Sequence, residues 1–174
     1  MQAGDGRALE ELYRRYAPLL LRYFYRMLWQ DQNKAQDAVQ DIFVKIIERP
    51  DRVDADRKFS TWIYAVAHNF CKNEYRRHLF RQSAMNGHKP EQTIPSHDGI
   101  SIDHEAFLKK LEGILQEEGE DMRTMMVLRH ELEMSFPEIA SIVELPEGTV
   151  KSRLFYLKKR LASALEPYRI IIEK

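Results

Sequence analysis

Residues 135–161 read SFPEIASIVELPEGTVKSRLFYLKKRL, and their pattern predicts two short helices around a tight turn. The first helix should span residues 136–143, with the turn at 144–145. Pro146 then stands where the first turn of a helix tolerates proline. The second helix has an apolar stripe at helical spacing, formed by Val150, Leu154, Leu157, Leu161 and Leu165.

The face of the second helix opposite that stripe is polar and basic. Residues 148–165 contain five basic side chains and no acidic one. A helix-turn-helix places such a helix in the major groove of DNA. An ordinary surface helix with a solvated basic face would carry the same charge, but the preceding short helix and turn favour the first interpretation. The residues expected on the DNA side are Thr149, Lys151, Ser152, Arg153, Tyr156, Lys159 and Arg160.

The same stretch resembles the promoter-reading end of the extracytoplasmic-function sigma factors, the small two-domain members of the sigma-70 family. The matching residues are Ser135, 138–140, Pro146, 148–153 and 160–161. The resemblance implies that the basic helix contacts the −35 promoter element. The family usually has glycine in the turn, whereas this chain has Glu144, so a positive φ there would strain the backbone.

Residues 34–48, KAQDAVQDIFVKIIE, predict an earlier amphipathic helix with an acidic outer face. Its buried side should consist of Ala35, Val39, Ile42, Phe43 and Ile46. By itself an acidic face is typical of a solvated helix. The segment also resembles the sigma-family helix that binds the clamp helices of core RNA polymerase. That resemblance implies a polymerase-binding surface formed by Asp37, Gln40, Asp41 and Val44.

Residues 59–80, FSTWIYAVAHNFCKNEYRRHLF, predict a third helix with Ser60 or Thr61 as its N-cap. The inner face should consist of Trp62, Ile63, Val66, Ala67 and Phe70. Aromatic and cationic side chains alternate on the outer face, a pattern that suits stacking on single-stranded DNA. The alternative is that these tyrosines lie under a contact between domains. The outer-face residues are Thr61, Tyr64, His68, Lys72 and Tyr75.

This third segment resembles the sigma-family helix that recognises and melts the −10 promoter element. His68 and Asn73 depart from the family, which favours arginine and aspartate at these positions. The resemblance implies −10 recognition by Trp62, Tyr64, His68, Asn69, Lys72, Tyr75, Arg76 and Arg77.

Composition indicates how the chain is organised. Its 27 basic and 27 acidic residues cancel overall, but residues 1–82 carry a net charge of +4 and residues 83–105 carry −3. Residues 83–105 also contain two prolines and two glycines among mostly polar residues, which is typical of a linker. We therefore predict an all-α protein of two small helical domains, 1–82 and 106–174, joined by a flexible linker.

Several classes of protein lack support in the sequence. Cys71 is the single cysteine, and the six histidines show no metal-ligand spacing, so no cofactor is predicted. No catalytic triad, phosphate loop or clustered acid pair indicates an enzyme. No apolar run approaches the ~20 residues of a membrane span, and the N-terminus does not resemble a signal peptide. We expect a cytoplasmic protein without membrane insertion.

Across nearly the whole chain, the resemblance implies an alternative sigma factor that directs core RNA polymerase to specific promoters. Its implied partners are core RNA polymerase, promoter DNA and an anti-sigma factor. The alternative is a helix-turn-helix transcriptional regulator that binds DNA without joining polymerase.

The length of the linker predicts how the two domains sit in the free protein. The 23 residues of 83–105 span only ~26 Å as a flexible coil. The resemblance implies two promoter elements about two turns of DNA apart, which requires ~70 Å between the domains. We therefore expect the free domains to lie close together, with the Tyr64 and Tyr75 face and the apolar 170–172 tail partly covered. Core polymerase would hold the domains apart, and an anti-sigma factor would stabilise the compact form.

Overall fold

The structure is a computed structural model that describes residues 6–84 and 102–168. These residues form helices and connecting turns without a strand, as predicted. Most of linker 83–105 and the tail segment 170–172 lie outside the described residues. The elements in chain order are α1 (Gly6–Met27), α2 (Gln32–Glu48), a 3-10 turn (Pro50–Arg52), α3 (Phe59–Ala84), α4 (Ile102–Glu117), α5 (Glu120–His130), α6 (Phe136–Val143), α7 (Glu147–Ala164) and a final 3-10 turn (Glu166–Tyr168).

The beginnings of α2 and α3 have different local causes. The Asp31 side chain caps α2 by accepting a hydrogen bond from the Lys34 backbone N–H at 3.0 Å. The prediction that Ser60 or Thr61 caps α3 is wrong. The Trp62 N–H already donates to the Lys58 carbonyl at 3.1 Å, so both residues lie inside the first turn.

The helix-turn-helix has the bounds that its sequence predicts. Ser135 and Glu138 form a reciprocal capping box at the start of α6, which satisfies two backbone donors. Helix α6 ends where Glu144 adopts φ 57° and ψ 42°, a left-handed conformation that glycine adopts more readily. The Leu145 N–H then donates to the Ala140 carbonyl at 3.1 Å, and α7 follows directly after Pro146.

Buried apolar residues from both halves of the chain form one continuous core. The first half contributes the predicted stripe of α2, all of which is buried, together with Leu20, Phe24 and Met27 of α1. The second half contributes residues of α5, α6 and α7. Helix α3 is common to both halves of this core, since it contacts α1 and α2 of the first half and α5 and α6 of the second half.

The left-handed turn residue generates a prediction about stability. Glu144→Gly should raise the free energy of unfolding by about 1 kcal/mol relative to Glu144→Ala, because glycine has no Cβ to clash at positive φ. Both variants lose the carboxylate, so their difference isolates the backbone effect. Urea unfolding of the two proteins measures it, and equal stabilities would contradict strain at this turn.

Candidate nucleic-acid and polymerase interfaces

Helix α7 presents most of its predicted DNA side to solvent. Six of the seven predicted residues are exposed, and Thr149 is half-buried. The Lys151 ammonium pairs with the Glu147 carboxylate at 2.5 Å within the same helix. Arg160 instead turns towards α4 and α5, where it donates to the Ile114 carbonyl at 3.3 Å and pairs with Glu118 at 2.8 Å. Arg160 therefore braces the second half of the chain even though its predicted role was DNA contact.

Sequence reasoning missed one residue on this helix. Phe155 is 64% exposed and meets the 67% exposed Tyr156 edge-on, with 5.6 Å between ring centroids. An exposed phenyl group beside basic side chains can contact the methyl group of thymine. A search for polar and charged groups passes over it, although its position on the helix opposite the buried stripe would have identified it.

The outer face of α2 is also open. Asp37, Gln40 and Asp41 are exposed, and Val44 is 49% exposed. Ile47, one turn after Val44, is 59% exposed and was not singled out from the sequence. The face therefore combines carboxylates with a pair of exposed aliphatic side chains, which is a common composition for a protein-binding surface.

Helix α3 differs most from its predicted exposure. Tyr64 and His68 are each 2% exposed, and Thr61 is 6% exposed, although all three were assigned to an outer face. Trp62, Lys72 and Tyr75 are half-buried. The residues left exposed from the −10 set are Asn69, Arg76 and Arg77.

The low exposure of these residues has a physical cause, because neighbouring helices cover the face of α3 that was predicted to be its outer face. The Tyr64 ring packs edge-on against Tyr23 of α1, with 5.5 Å between centroids. Farther along, α5 lies across His68 and Tyr75. Tyr64 is thus buried within the first half, whereas α5 of the second half covers His68 and Tyr75. The alternative of a contact between domains therefore applies to Tyr75 and not to Tyr64. The expected proximity of the two halves is also observed.

Thr124 of α5 makes the central polar contact between the halves. Its side chain is fully buried, and its hydroxyl lies 3.1 Å from the Tyr23 hydroxyl and 3.1 Å from Nδ1 of His68. Nε2 of His68 faces the Asp121 carboxylate at 3.3 Å, without the alignment of a hydrogen bond. Burial lowers the pKa of His68, and the Asp121 charge opposes this only in part. We therefore take His68 as neutral.

Further polar pairs surround this centre. The Tyr75 hydroxyl donates to the Met27 carbonyl at 2.6 Å and accepts from Arg123, whose guanidinium also lies over the Tyr75 ring at 4.7 Å. Burial raises the pKa of Tyr75 to about 12. Arg26 pairs with Glu131 across the contact at 3.0 Å.

Lys58 of the first half pairs with Glu138, the capping-box residue of α6, at 3.0 Å. Hydrogen bonds from Ser135 and then from Lys58 lower the pKa of Glu138 to about 2. One carboxylate thus serves both the start of α6 and the contact between the halves.

The described residues show no group of three His, Cys, Asp or Glu side chains arranged to hold a metal ion. Cys71 is buried, which raises the pKa of its thiol and removes it from reaction with solvent. None of the described helices is long and apolar enough to cross a membrane.

Comparison with known proteins identifies the family. The family model for sigma-70 region 2 matches residues 12–80, and that for sigma-70 region 4 matches residues 119–161. The chain is 31% identical over 192 residues to the ECF RNA polymerase sigma-E factor of Escherichia coli (strain K12), covering 96% of this chain and 91% of that protein. It is 29% identical over 183 residues to the RNA polymerase sigma-H factor of Pseudomonas aeruginosa, with coverage of 96% and 91%.

Two solved structures share the fold. The sigma factor RpoE in complex with the anti-sigma factor NepR from Bartonella quintana matches with a TM-score of 0.72 and 21% identity, covering 92% of this chain and 98% of that one. CnrH in complex with the cytosolic domain of CnrY matches with a TM-score of 0.66 and 24% identity, covering 94% and 91%. The chain belongs to the extracytoplasmic-function group of the sigma-70 family and is an RNA polymerase sigma factor, which directs core polymerase to promoters. The alternative of a regulator that acts without polymerase is set aside, because the sequence relatives are polymerase factors.

The burial of Tyr64 generates a stability prediction that also limits how this residue can be tested. The Tyr64 hydroxyl is buried without a hydrogen-bond partner among the described residues. Tyr64→Phe should therefore change the free energy of unfolding by less than ~1 kcal/mol, whereas Tyr64→Ala should lower it by ~3–5 kcal/mol through the cavity that it leaves. Urea unfolding of both variants checks this, and a stable Tyr64→Ala protein would contradict the core position of the ring.

Proposed function

We propose that this sigma factor uses three separate helix faces. Helix α7 reads the −35 element, α2 binds core RNA polymerase, and α3 holds the −10 element after its strands have opened. The observation that best supports this division is that α2 and α7 bury their apolar stripes and leave their functional faces open to solvent. We also propose that the protein is a non-catalytic factor of the cytoplasm, where its polymerase partner acts.

On α7, Arg153 is the residue best suited to read a base. Its side chain is exposed near the start of the helix, and a guanidinium can donate two parallel hydrogen bonds to a guanine edge. Lys159 lies almost two turns later, where an ammonium group contacts phosphate more readily than a base edge. Phe155 and Tyr156 lie between them and supply apolar contact area.

We predict that Arg153→Ala weakens initiation from promoters that depend on the −35 element by ~10-fold or more, since one bidentate base contact is worth ~1–3 kcal/mol. Arg153→Lys is the matched control, because it keeps the charge but loses the two-pronged geometry. Lys159→Ala should weaken binding to all promoters alike and reduce its salt dependence. Run-off transcription on promoters with single changes in the −35 element measures each effect. Equal and sequence-independent losses for Arg153→Ala and Lys159→Ala would contradict the assignment.

On α2, the proposed polymerase contact consists of the predicted set Asp37, Gln40, Asp41 and Val44. The exposed Ile47 extends this set by one turn. Apolar side chains at the centre of an interface, surrounded by charged ones, provide both affinity and orientation.

Asp41→Lys and Val44→Asp should each abolish binding to core polymerase and leave the fold intact. Both side chains are exposed, so the free energy of unfolding should change by no more than ~0.5 kcal/mol. Glu10→Lys, an identical charge reversal at an exposed site on α1, is the control and should bind normally. Co-purification with core polymerase and urea unfolding provide the two readouts. Normal co-purification of the α2 variants would refute the surface.

On α3, the proposed −10 contact is divided between exposed and covered residues. Asn69, Arg76 and Arg77 can meet DNA in the observed arrangement. Tyr75 and His68 cannot, because α5 lies against them. Binding of a single DNA strand along the whole of this face therefore requires that the two halves separate. Binding to core polymerase is the natural source of the free energy for that separation.

We further propose an anti-sigma factor as a partner. Of the two solved structures compared above, one contains the anti-sigma factor NepR and the other contains the cytosolic domain of CnrY. An inhibitor that bound only the compact form would keep the α3 face covered and would bind more weakly to any variant in which the halves separate.

A further inference from the structure

The contacts of α5 suggest a function for that helix beyond bracing the helix-turn-helix. We propose that the first half of α5 is an internal mimic of single-stranded DNA, and that the Thr124 hydroxyl is the latch that holds it on α3. This inference rests on the proposed role of α3 in binding the opened −10 strand. It adds a means by which the free protein keeps that face occupied.

The mimicry follows from the groups that α5 places against α3. The Asp121 carboxylate lies 3.9 Å from the Lys72 ammonium, where a DNA phosphate would supply the negative charge. The Arg123 guanidinium is a flat, delocalised group over the Tyr75 ring at 4.7 Å, where a base would stack. Two neighbouring positions of one helix thus supply an anion and a planar group to the cation and the aromatic ring proposed to bind DNA.

Thr124 has no exposed surface, against 2% for His68 and 6% for Thr61, the other buried polar residues in the described part of the chain. A buried hydroxyl is costly unless it is hydrogen-bonded, and Thr124 finds partners on both α1 and α3 through Tyr23 and His68. These contacts form only when the two halves are docked in one register. The Thr124 bridge therefore selects this closed arrangement over a general apolar contact.

The Asp121 carboxylate beside His68 determines the direction of the hydrogen bonds between Tyr23, Thr124 and His68. The Asp121 carboxylate lies 3.3 Å from Nε2 of His68 without the alignment of a hydrogen bond, but its negative charge favours the neutral tautomer that carries the proton on Nε2 and leaves Nδ1 as an acceptor. The Thr124 hydroxyl then donates to Nδ1 and accepts from the Tyr23 hydroxyl. An arginine at position 68 would have no acceptor atom and could not receive this bond. The latch is therefore matched to the histidine of this chain.

The test uses the full chain and the nearly isosteric variant Thr124→Val, with Thr124→Ser as the control that retains the hydroxyl. Thr124→Val leaves both Tyr23 and His68 without their shared partner, so the open population should rise by tens-fold. Affinity for single-stranded DNA should rise by the same factor, since apparent affinity scales with the competent fraction. Small-angle scattering measures opening, and fluorescence anisotropy with a labelled mixed-sequence oligonucleotide of ~20 nucleotides measures binding.

The outcomes separate the inference from the function on which it rests. Expansion of Thr124→Val together with tighter binding supports both, provided that Thr124→Ser stays compact. No expansion overturns the latch and leaves the proposed role of α3 intact. Expansion without any gain in DNA binding overturns the mimicry, and it contradicts the role of α3 as well.

A second variant keeps the inference testable if Thr124→Val fails to fold. Arg26 and Glu131 pair across the contact at exposed and half-exposed positions, so Arg26→Cys with Glu131→Cys allows a short, thiol-cleavable cross-linker to tie the halves together. The buried Cys71 should not react. Cross-linking should reduce binding of the oligonucleotide at least ~10-fold below that of the uncross-linked protein, and reductant should restore it. Unchanged binding in the cross-linked state would overturn the proposal.

Discussion

The arrangement of the whole chain depends on the burial of α3 along two sides. Ile63 and Ala67 are fully buried, as the apolar periodicity of the helix predicts. Tyr64 and His68, on a different side, are nearly as inaccessible. A helix enclosed in this way loses the clear polar face of a surface helix. A polar group buried in this way is stabilised by a partner on the element that covers it, and Thr124 of α5 is that partner for His68.

This constraint explains why the three proposed functional faces differ in accessibility. The α2 and α7 faces lie outside the contact between the halves, so polymerase and duplex DNA can reach them without rearrangement. The α3 face contributes to the core that holds the halves together, so its use for DNA competes directly with folding energy. A partner that binds the separated form more tightly than the closed form must supply the free energy that is lost when the halves separate.

Local patterns predicted several parts of the fold correctly. The α2 stripe is buried residue by residue, α6 has its predicted bounds, and Glu144 has the positive φ that the missing glycine suggested. Phe155 and Ile47 were missed because attention to charge overlooks exposed apolar side chains beside charged ones. The contacts of Arg160 with Ile114 and Glu118 were not predicted, because these partners lie more than 40 residues away in the chain, one on α4 and one in the connection to α5. Its DNA contact stays a prediction.

The sequence by itself determined the helices, their apolar stripes, the helix-turn-helix and the family, because these depend on spacings within about 20 residues. Only the tertiary structure decided which surfaces of the two halves meet, so that α5 covers His68 and Tyr75, and that α1 covers Tyr64. The contacts responsible join residues far apart in the chain, such as Tyr23 with Thr124 and His68 with Thr124. Helical periodicity reports which side of a helix is apolar. It carries no information about whether a distant segment, such as α5, has polar groups that fit the polar side of that helix.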